Sequence, residues 1–131
     1  MSESSERPDD EEGRAIEGEF CLSWDAVEGY YARLQQAFCP VARAFIATLR
    51  QAGYDSSLHA GHSMWTFMVS RSRHHHIRSH KPWIRFDFDD DTATMTVLAS
   101  LGTQCRMVGI PAALTPDIAM LLTQLAEQDI T

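Results

Sequence analysis

The chain has 131 residues, the size of one ordinary domain and too short for two domains with separate cores. Hydrophobic residues make up 44% of it and charged residues 22%, which is typical of globular proteins rather than of disordered or fibrous ones. Its apolar stretches are far shorter than the roughly 18 residues that cross a bilayer, and no signal peptide opens it. We therefore expect a cytoplasmic protein that does not enter a membrane.

The net charge of −7 lies almost wholly at the N-terminus, because residues 1–19 hold eight acids and two arginines. This segment has Ile16 as its large aliphatic residue and contains no aromatic one. It cannot bury enough surface to offset its ordering entropy, so we expect residues 1–19 to form a disordered acidic tail and residues 20–131 a single domain. In a sharper alternative, Asp9–Glu12 folds back onto a basic surface and competes with an anionic partner.

The first predicted element is a long helix. Apolar residues recur at steps of three and four from Trp24 to Phe45, which predicts a helix over Trp24–Gln51 with Ser23 as its N-cap. Gly53 supplies a C-terminal stop. Because Pro40 removes a backbone hydrogen bond and clashes with the preceding turn, we expect a kink or break there.

Four segments with alternating apolar and polar residues follow, and a last helix closes the chain. The predicted strands are Met64–Ser70, Trp83–Phe88, Ala93–Ala99 and Cys105–Ile110. Thr115 as N-cap and Pro116 at the first helical position open the last helix. The predicted fold is α+β in two layers: a four-stranded antiparallel meander with a Pro-kinked N-terminal helix and a C-terminal helix packed on one face.

A segment rich in histidine and arginine, Arg71–Pro82, joins the first two predicted strands. In an extended chain His74 and His76 project to the same side, with His80 or Asp87 as a third metal ligand. The spacing matches no zinc motif, and the neighbouring bases disfavour a divalent cation. These histidines are therefore weak metal candidates, and we expect no cofactor.

The bases of the same segment suggest a second use, the binding of an anion or of nucleic acid, with Trp83 available to stack on a base. A near-neutral folded domain makes nucleic acid an unfavoured partner. A pH-sensing role for the histidines, or a solvated loop balanced by Asp87–Asp91, would explain the composition as well. The candidate anion-binding residues are Arg71, Arg73, Arg78 and Lys81.

Alternation also predicts the residues on the uncovered face of the sheet. Tryptophan, methionine and leucine mixed with arginine are typical of interface cores, so we expect a protein partner or a second copy of the chain on this face. The acidic tail or the loop Tyr54–Gly61 could instead cover it. The last strand contributes either Arg106 and Val108 or Cys105 and Met107. The predicted partner-binding residues are Met64, Met68, Trp83, Arg85 and Leu98.

No catalytic motif is present: the sequence lacks a nucleophile elbow, a P-loop and a dinucleotide-binding glycine pattern. Cys21, Cys39 and Cys105 form no metal-binding or redox pair, and we expect buried, inert thiols. The sequence leaves an enzyme open but favours none. The predicted function is a non-catalytic binding module, a possible homodimer, that uses the open sheet face; the alternative is an anion- or nucleic-acid-binding protein that uses residues 71–85.

Overall fold

The computed structural model describes residues 8–73, 81–90 and 92–131. These described residues form three helices, five strands and one turn of 3-10 helix at Tyr54–Ser56. In chain order they are α1 (Pro8–Arg33), α2 (Cys39–Gln51), β1 (His59–Ser63), β2 (Thr66–Ser70), β3 (Trp83–Phe88), β4 (Thr94–Ser100), β5 (Gln104–Pro111) and α3 (Pro116–Ala126). None of these helices combines the length and the apolarity needed to span a bilayer.

The five strands form one antiparallel meander in the order β1-β2-β3-β4-β5, with the helices on one face. The predicted α+β class is confirmed, but the number of strands is five, not four. The missed strand is β1, His59–Ser63, in which Ala60 is the only aliphatic side chain. Its sequence lacks the β-branched and aromatic residues that mark strands, so it owes its conformation to pairing with β2 and to contact with α1.

The predicted long helix is divided into α1 and α2. The break lies over residues 34–38, and Pro40 falls in the first turn of α2, where its missing N–H has no helical partner to lose. Gly53 follows the end of α2 with φ of +92°, a left-handed conformation that a glycine adopts without steric cost. The predicted break and stop are thus confirmed.

The start of α1 differs from the prediction. The helix begins at Pro8, so residues 8–19, for which the sequence predicts disorder, form its first turns. Ser23 is therefore in the helix interior and is not an N-cap; its hydroxyl donates to the carbonyl of Phe20. The added turns have a partner far along the chain, because Arg73 forms ion pairs with Glu12 at 3.3 Å and with Glu19 at 2.8 Å.

The core lies between the helices and one face of the sheet. Its centre is aromatic: the rings of Phe67 and Phe86 stack at 5.5 Å, and Trp24 and Phe45 pack against them at 5.6 and 5.0 Å. α3 completes the apolar layer with Ile118, Leu122 and Leu125. The predicted N-cap of α3 is confirmed, since Thr115 Oγ1 accepts from the amide of Ile118 at 3.3 Å.

The two outer strands of the sheet, β1 and β5, differ in how far other parts of the fold contact them. At β1 the backbone is capped from α1, where Ser23 Oγ accepts from the amide of Ala60 and Trp24 Nε1 donates to the carbonyl of Leu58. At β5 every residue is exposed or half-buried, and a β-bulge at Gly109, with φ of +69°, interrupts its pairing with β4. The bulge twists the edge at β5, which hinders its pairing with a further strand.

Candidate binding surface on the open sheet face

Strand register arranges the open face in rows that cross the sheet. Residues opposite one another in adjacent strands point to the same side, so the pairing defines each row directly. The row nearest the segment that joins β2 to β3 consists of His59, Ser70, Trp83, Ser100 and Gln104. The next, which we term the middle row, consists of Gly61, Met68, Arg85, Leu98 and Arg106. In the third row Ser63 pairs with Thr66, and Asp87 pairs with Thr96.

The middle row brings three of the predicted residues side by side: Met68, Arg85 and Leu98. All three are half-buried, and Trp83, also half-buried, lies in the neighbouring row. The register also decides between the two alternatives for the last strand. Arg106 lies opposite Leu98 on the open face, whereas Met107 lies opposite Val97 and packs against the core.

Arg85 is the central charge of this surface and is incompletely paired. Its side chain is 41% exposed, and Asp87 Oδ2 lies 3.7 Å from its Nη2, which is too long for a hydrogen bond. Its Nε is buried and finds no hydrogen-bond acceptor among the described residues. A guanidinium in this state can still donate to a carboxylate or carbonyl of a ligand.

Met64 is the exception among the predicted residues, because it does not lie on the open face. It occupies the two-residue turn between β1 and β2 with φ of +55° and a relative exposure of 76%. Trp65, which alternation places on the core side, follows it and is 51% exposed. The sequence does not predict this turn, because its pattern does not predict β1 and extends the next strand back to Met64.

The turn is held from α1 by two tyrosines. The Tyr30 hydroxyl donates to the carbonyl of Met64 at 2.7 Å, and the Tyr31 hydroxyl donates to the carbonyl of Trp65 at 2.9 Å. Tyr31 is fully buried, and that burial raises the pKa of its phenol. The exposed pair Met64–Trp65, which we term the hairpin tip, is therefore presented by a fixed backbone.

Of the predicted anion-binding residues, Arg71 and Arg73 are paired with groups of the protein itself. The guanidinium of Arg71 donates to the backbone carbonyls of Ser57 and Gln128, so it joins parts of the fold. Arg73 donates to the carboxylates of Glu19 and Glu12 on α1. Glu12 belongs to Asp9–Glu12, the segment that the alternative interpretation of the tail folds back onto a basic surface. Arg78 lies outside the described residues, and Lys81 is half-buried. Anion binding by these four residues stays a prediction.

The metal candidates His74, His76 and His80 also lie outside the described residues. In the part of the chain that the structure describes, no three histidine, cysteine or acidic side chains are grouped to hold a metal ion. Asp87, the suggested third ligand, accepts a hydrogen bond from Thr66 instead. Of the three free cysteines, Cys39 is buried and Cys21 half-buried as inert thiols would be, but Cys105 is exposed on β5, so its predicted burial is wrong.

A shallow groove of about 530 Å³ runs between α1 and β1. At one end the imidazole of His62 stacks on the ring of Tyr30 with centroids 3.6 Å apart. His62 is exposed overall, but one face of its imidazole is covered by Tyr30 and shielded from water. This partial burial lowers the pKa of the imidazole. The backbone of β1 in this groove is already capped by Ser23, so the groove is a seam between two elements rather than an edge open to a further strand.

Comparison of this chain with protein-family models, with curated proteins and with solved structures gives no match.

Proposed function

We propose that this protein is a non-catalytic binding module that holds a protein partner on its open sheet face, through the middle row. The observation that carries the proposal is Arg85, which lies between Met68 and Leu98, has a side chain that is 41% exposed, and has Asp87 Oδ2 at 3.7 Å from its Nη2. The exposed part of this guanidinium can donate to a carboxylate or carbonyl of a partner.

The composition of the row indicates what the partner offers. Arg85 and Arg106 flank Leu98 across β3, β4 and β5, so two cations frame an apolar side chain. A surface with acidic groups around an apolar one would complement this arrangement. A second copy of the chain is the simplest such partner, because Asp87 in the adjacent row gives the same face both signs of charge, as a two-fold interface requires.

A cytoplasmic location belongs to the same proposal. The cysteines are free, and Cys105 is exposed. An exposed thiol persists in a reducing compartment.

Site-specific photo-crosslinking tests the proposal in the intact protein. A photoreactive phenylalanine analogue replaces Leu98, and in a matched control it replaces Arg43, which is exposed on α2 on the opposite layer. Irradiation of the Leu98 derivative should give a discrete product, of about twice 14.7 kDa if the partner is a second copy. The Arg43 derivative should give none.

Charge reversal then shows whether the product depends on the middle row. Arg106→Glu, in the background of the Leu98 derivative, should reduce the yield of the product, whereas Arg43→Glu should leave it unchanged. Equal crosslinking from positions 98 and 43, or a yield that does not respond to Arg106→Glu, would overturn the proposal.

A further inference from the structure

A cavity of about 430 Å³ lies where the hairpin tip meets the end of β3. Its volume is within the usual range for small-ligand sites, about 300 to 1,000 Å³. Three aromatic rings and two carboxylates contribute to its wall. The lining residues that matter here are Phe38, Trp65, Phe88, Asp87 and Asp90.

The aromatic part of the wall is fixed in position. Trp65 packs against buried Phe38 with ring centroids 5.9 Å apart and planes inclined by 55°, yet half of its surface stays exposed. Its backbone carbonyl is held by the buried Tyr31 hydroxyl. The indole therefore presents a π surface to the cavity from a backbone that is already ordered, which lowers the entropic cost of binding.

The charge in the cavity is negative. Asp87 accepts from Thr66 and is 47% exposed, and Asp90 is exposed directly beyond β3. Arg85 also reaches the wall and offsets one of these two charges. One negative charge remains in excess.

Aromatic faces beside carboxylates are the chemistry that recognises organic cations. A divalent metal ion would require several oxygen ligands without intervening rings, and an anion would be repelled. We propose that this cavity binds an alkylammonium group, such as the side chain of lysine, with the cation over the Trp65 indole and within reach of the Asp90 carboxylate. The cavity shares Arg85 with the middle row, but Trp65 and Asp90, the two residues that would hold the cation, do not belong to that row.

Amide-detected NMR of the ¹⁵N-labelled full chain tests the site with n-butylammonium chloride as probe. The Trp65 indole resonance and the amides of Thr66 and Asp90 should shift along a saturable curve. Equal concentrations of 1-pentanol, a neutral molecule of similar shape, and of sodium chloride should give no saturable shift. The peptide acetyl-Gly-Lys-Gly-amide forms a second arm: tighter binding than butylammonium assigns the ligand to a protein segment, and equal or weaker binding assigns it to a free amine.

Variants at exposed positions identify the residues responsible. Asp90→Asn should weaken butylammonium binding by about fivefold, whereas Asp117→Asn, which removes an exposed acid from α3, should not change it. Trp65→Leu should abolish saturation at the Thr66 amide, and Trp65→Phe should retain it. Absence of saturation in the unaltered protein, an equal response to 1-pentanol, or equal affinity in the Asp90→Asn and Asp117→Asn variants would overturn the proposal.

Discussion

The amide of Ala60 donates a hydrogen bond of 2.9 Å to the Ser23 hydroxyl, joining residues 37 positions apart. Ser23 is in the interior of α1 and Ala60 is buried on β1, so the bond closes the outer edge of the first strand. An edge strand that leaves its N–H groups unpaired is a template for association with other chains. A single hydroxyl therefore supports both stability and the integrity of this edge.

Ser23→Ala should lower the free energy of unfolding by about 1 to 2 kcal/mol, because the Ala60 amide loses its acceptor while staying shielded from water. Urea unfolding followed by circular dichroism measures the change. Thr123→Ala, which removes an exposed hydroxyl from α3, is the matched control and should shift stability by less than about 0.5 kcal/mol. A Ser23→Ala variant as stable as the control would contradict this role for the bond.

Arg50, on α2, binds three carboxylates from two other segments, α1 and the 3-10 turn Tyr54–Ser56. Its Nη1 lies 2.8 Å from Asp25 and 2.8 Å from Glu28 on α1, and its Nε lies 3.0 Å from Asp55. The arginine is 21% exposed, but Asp25 is 60% exposed, so water screens part of the network. Arg50→Gln should destabilise the fold by about 1 to 2 kcal/mol, since three acids then face one another without a cation.

The salt dependence of stability distinguishes the electrostatic contribution of Arg50 from a loss of packing. The difference in unfolding free energy between the unaltered protein and Arg50→Gln should shrink when sodium chloride is raised to about 1 M, where the screening length falls to about 3 Å. Arg50→Lys keeps the charge but not the planar fork, and should give an intermediate loss. A difference that does not depend on salt would contradict an electrostatic origin.

His62 makes stability depend on pH. Its pKa is lowered from the ordinary value of 6.5, because the ring is partly desolvated where it stacks on Tyr30. The unfolded chain then binds the proton more readily than the folded one, so the His62 contribution is intact above about pH 6.5 and declines as the pH falls below it. Urea unfolding between about pH 7.5 and pH 5 should show this decline.

His62→Phe keeps a ring on Tyr30 and removes the titration. The unfolding free energy of this variant should decline less steeply below about pH 6.5 than that of the unaltered protein. An identical slope in the two proteins would assign the pH dependence to other groups.

The elements predicted well are those whose signals are local. Thr115 caps α3 through its own neighbour Ile118, and the alternation of β3 puts Ile84 and Phe86 in the core with Arg85 between them. Both patterns are complete within a few residues of sequence. The periodicity of apolar residues and the capping residues are therefore sufficient to predict these elements.

The elements that were missed depend on distant partners. β1 has little strand propensity and is formed by pairing with β2 and by the bond from Ala60 to Ser23. The first turns of α1 contact Arg73, more than fifty residues later in the chain. Because the sequence does not predict β1, it does not predict the hairpin tip either, and strand alternation places Trp65 on the core side. The middle row followed from alternation, but its continuation to Arg106 required the register of β5.

The backbone conformation at Met64 predicts how substitutions there rank in stability. Its φ of +55° is a conformation that glycine adopts freely and that β-branched residues strongly disfavour. The side chain is 76% exposed, so its removal loses little packing. Met64→Gly should be at least as stable as the unaltered protein, whereas Met64→Val should be less stable by about 1 to 2 kcal/mol. Thermal unfolding of the pair measures the ranking, and the reverse order would contradict the turn geometry.

A structural role and an anion-binding role for Arg71 predict different effects of its substitution. Its Nε donates to the carbonyl of Gln128 at 2.9 Å, its Nη1 donates to the carbonyl of Ser57, and its own carbonyl accepts from the amide of Thr131. Burial lowers the pKa of this guanidinium, as expected of a cation paired mainly with carbonyls. Arg71→Gln should cost about 2 kcal/mol of unfolding free energy, because both carbonyls lose a charged donor.

The same substitution should speed hydrogen exchange at the amides of Gln128 and Thr131, because the C-terminal segment loses its attachment to Arg71. Arg43→Gln, at an exposed position on α2, should change neither measurement. If Arg71 served instead as a free anion-binding group, Arg71→Gln would leave stability and exchange unchanged while abolishing a stabilising effect of phosphate. That result would return the residue to the candidate anion site.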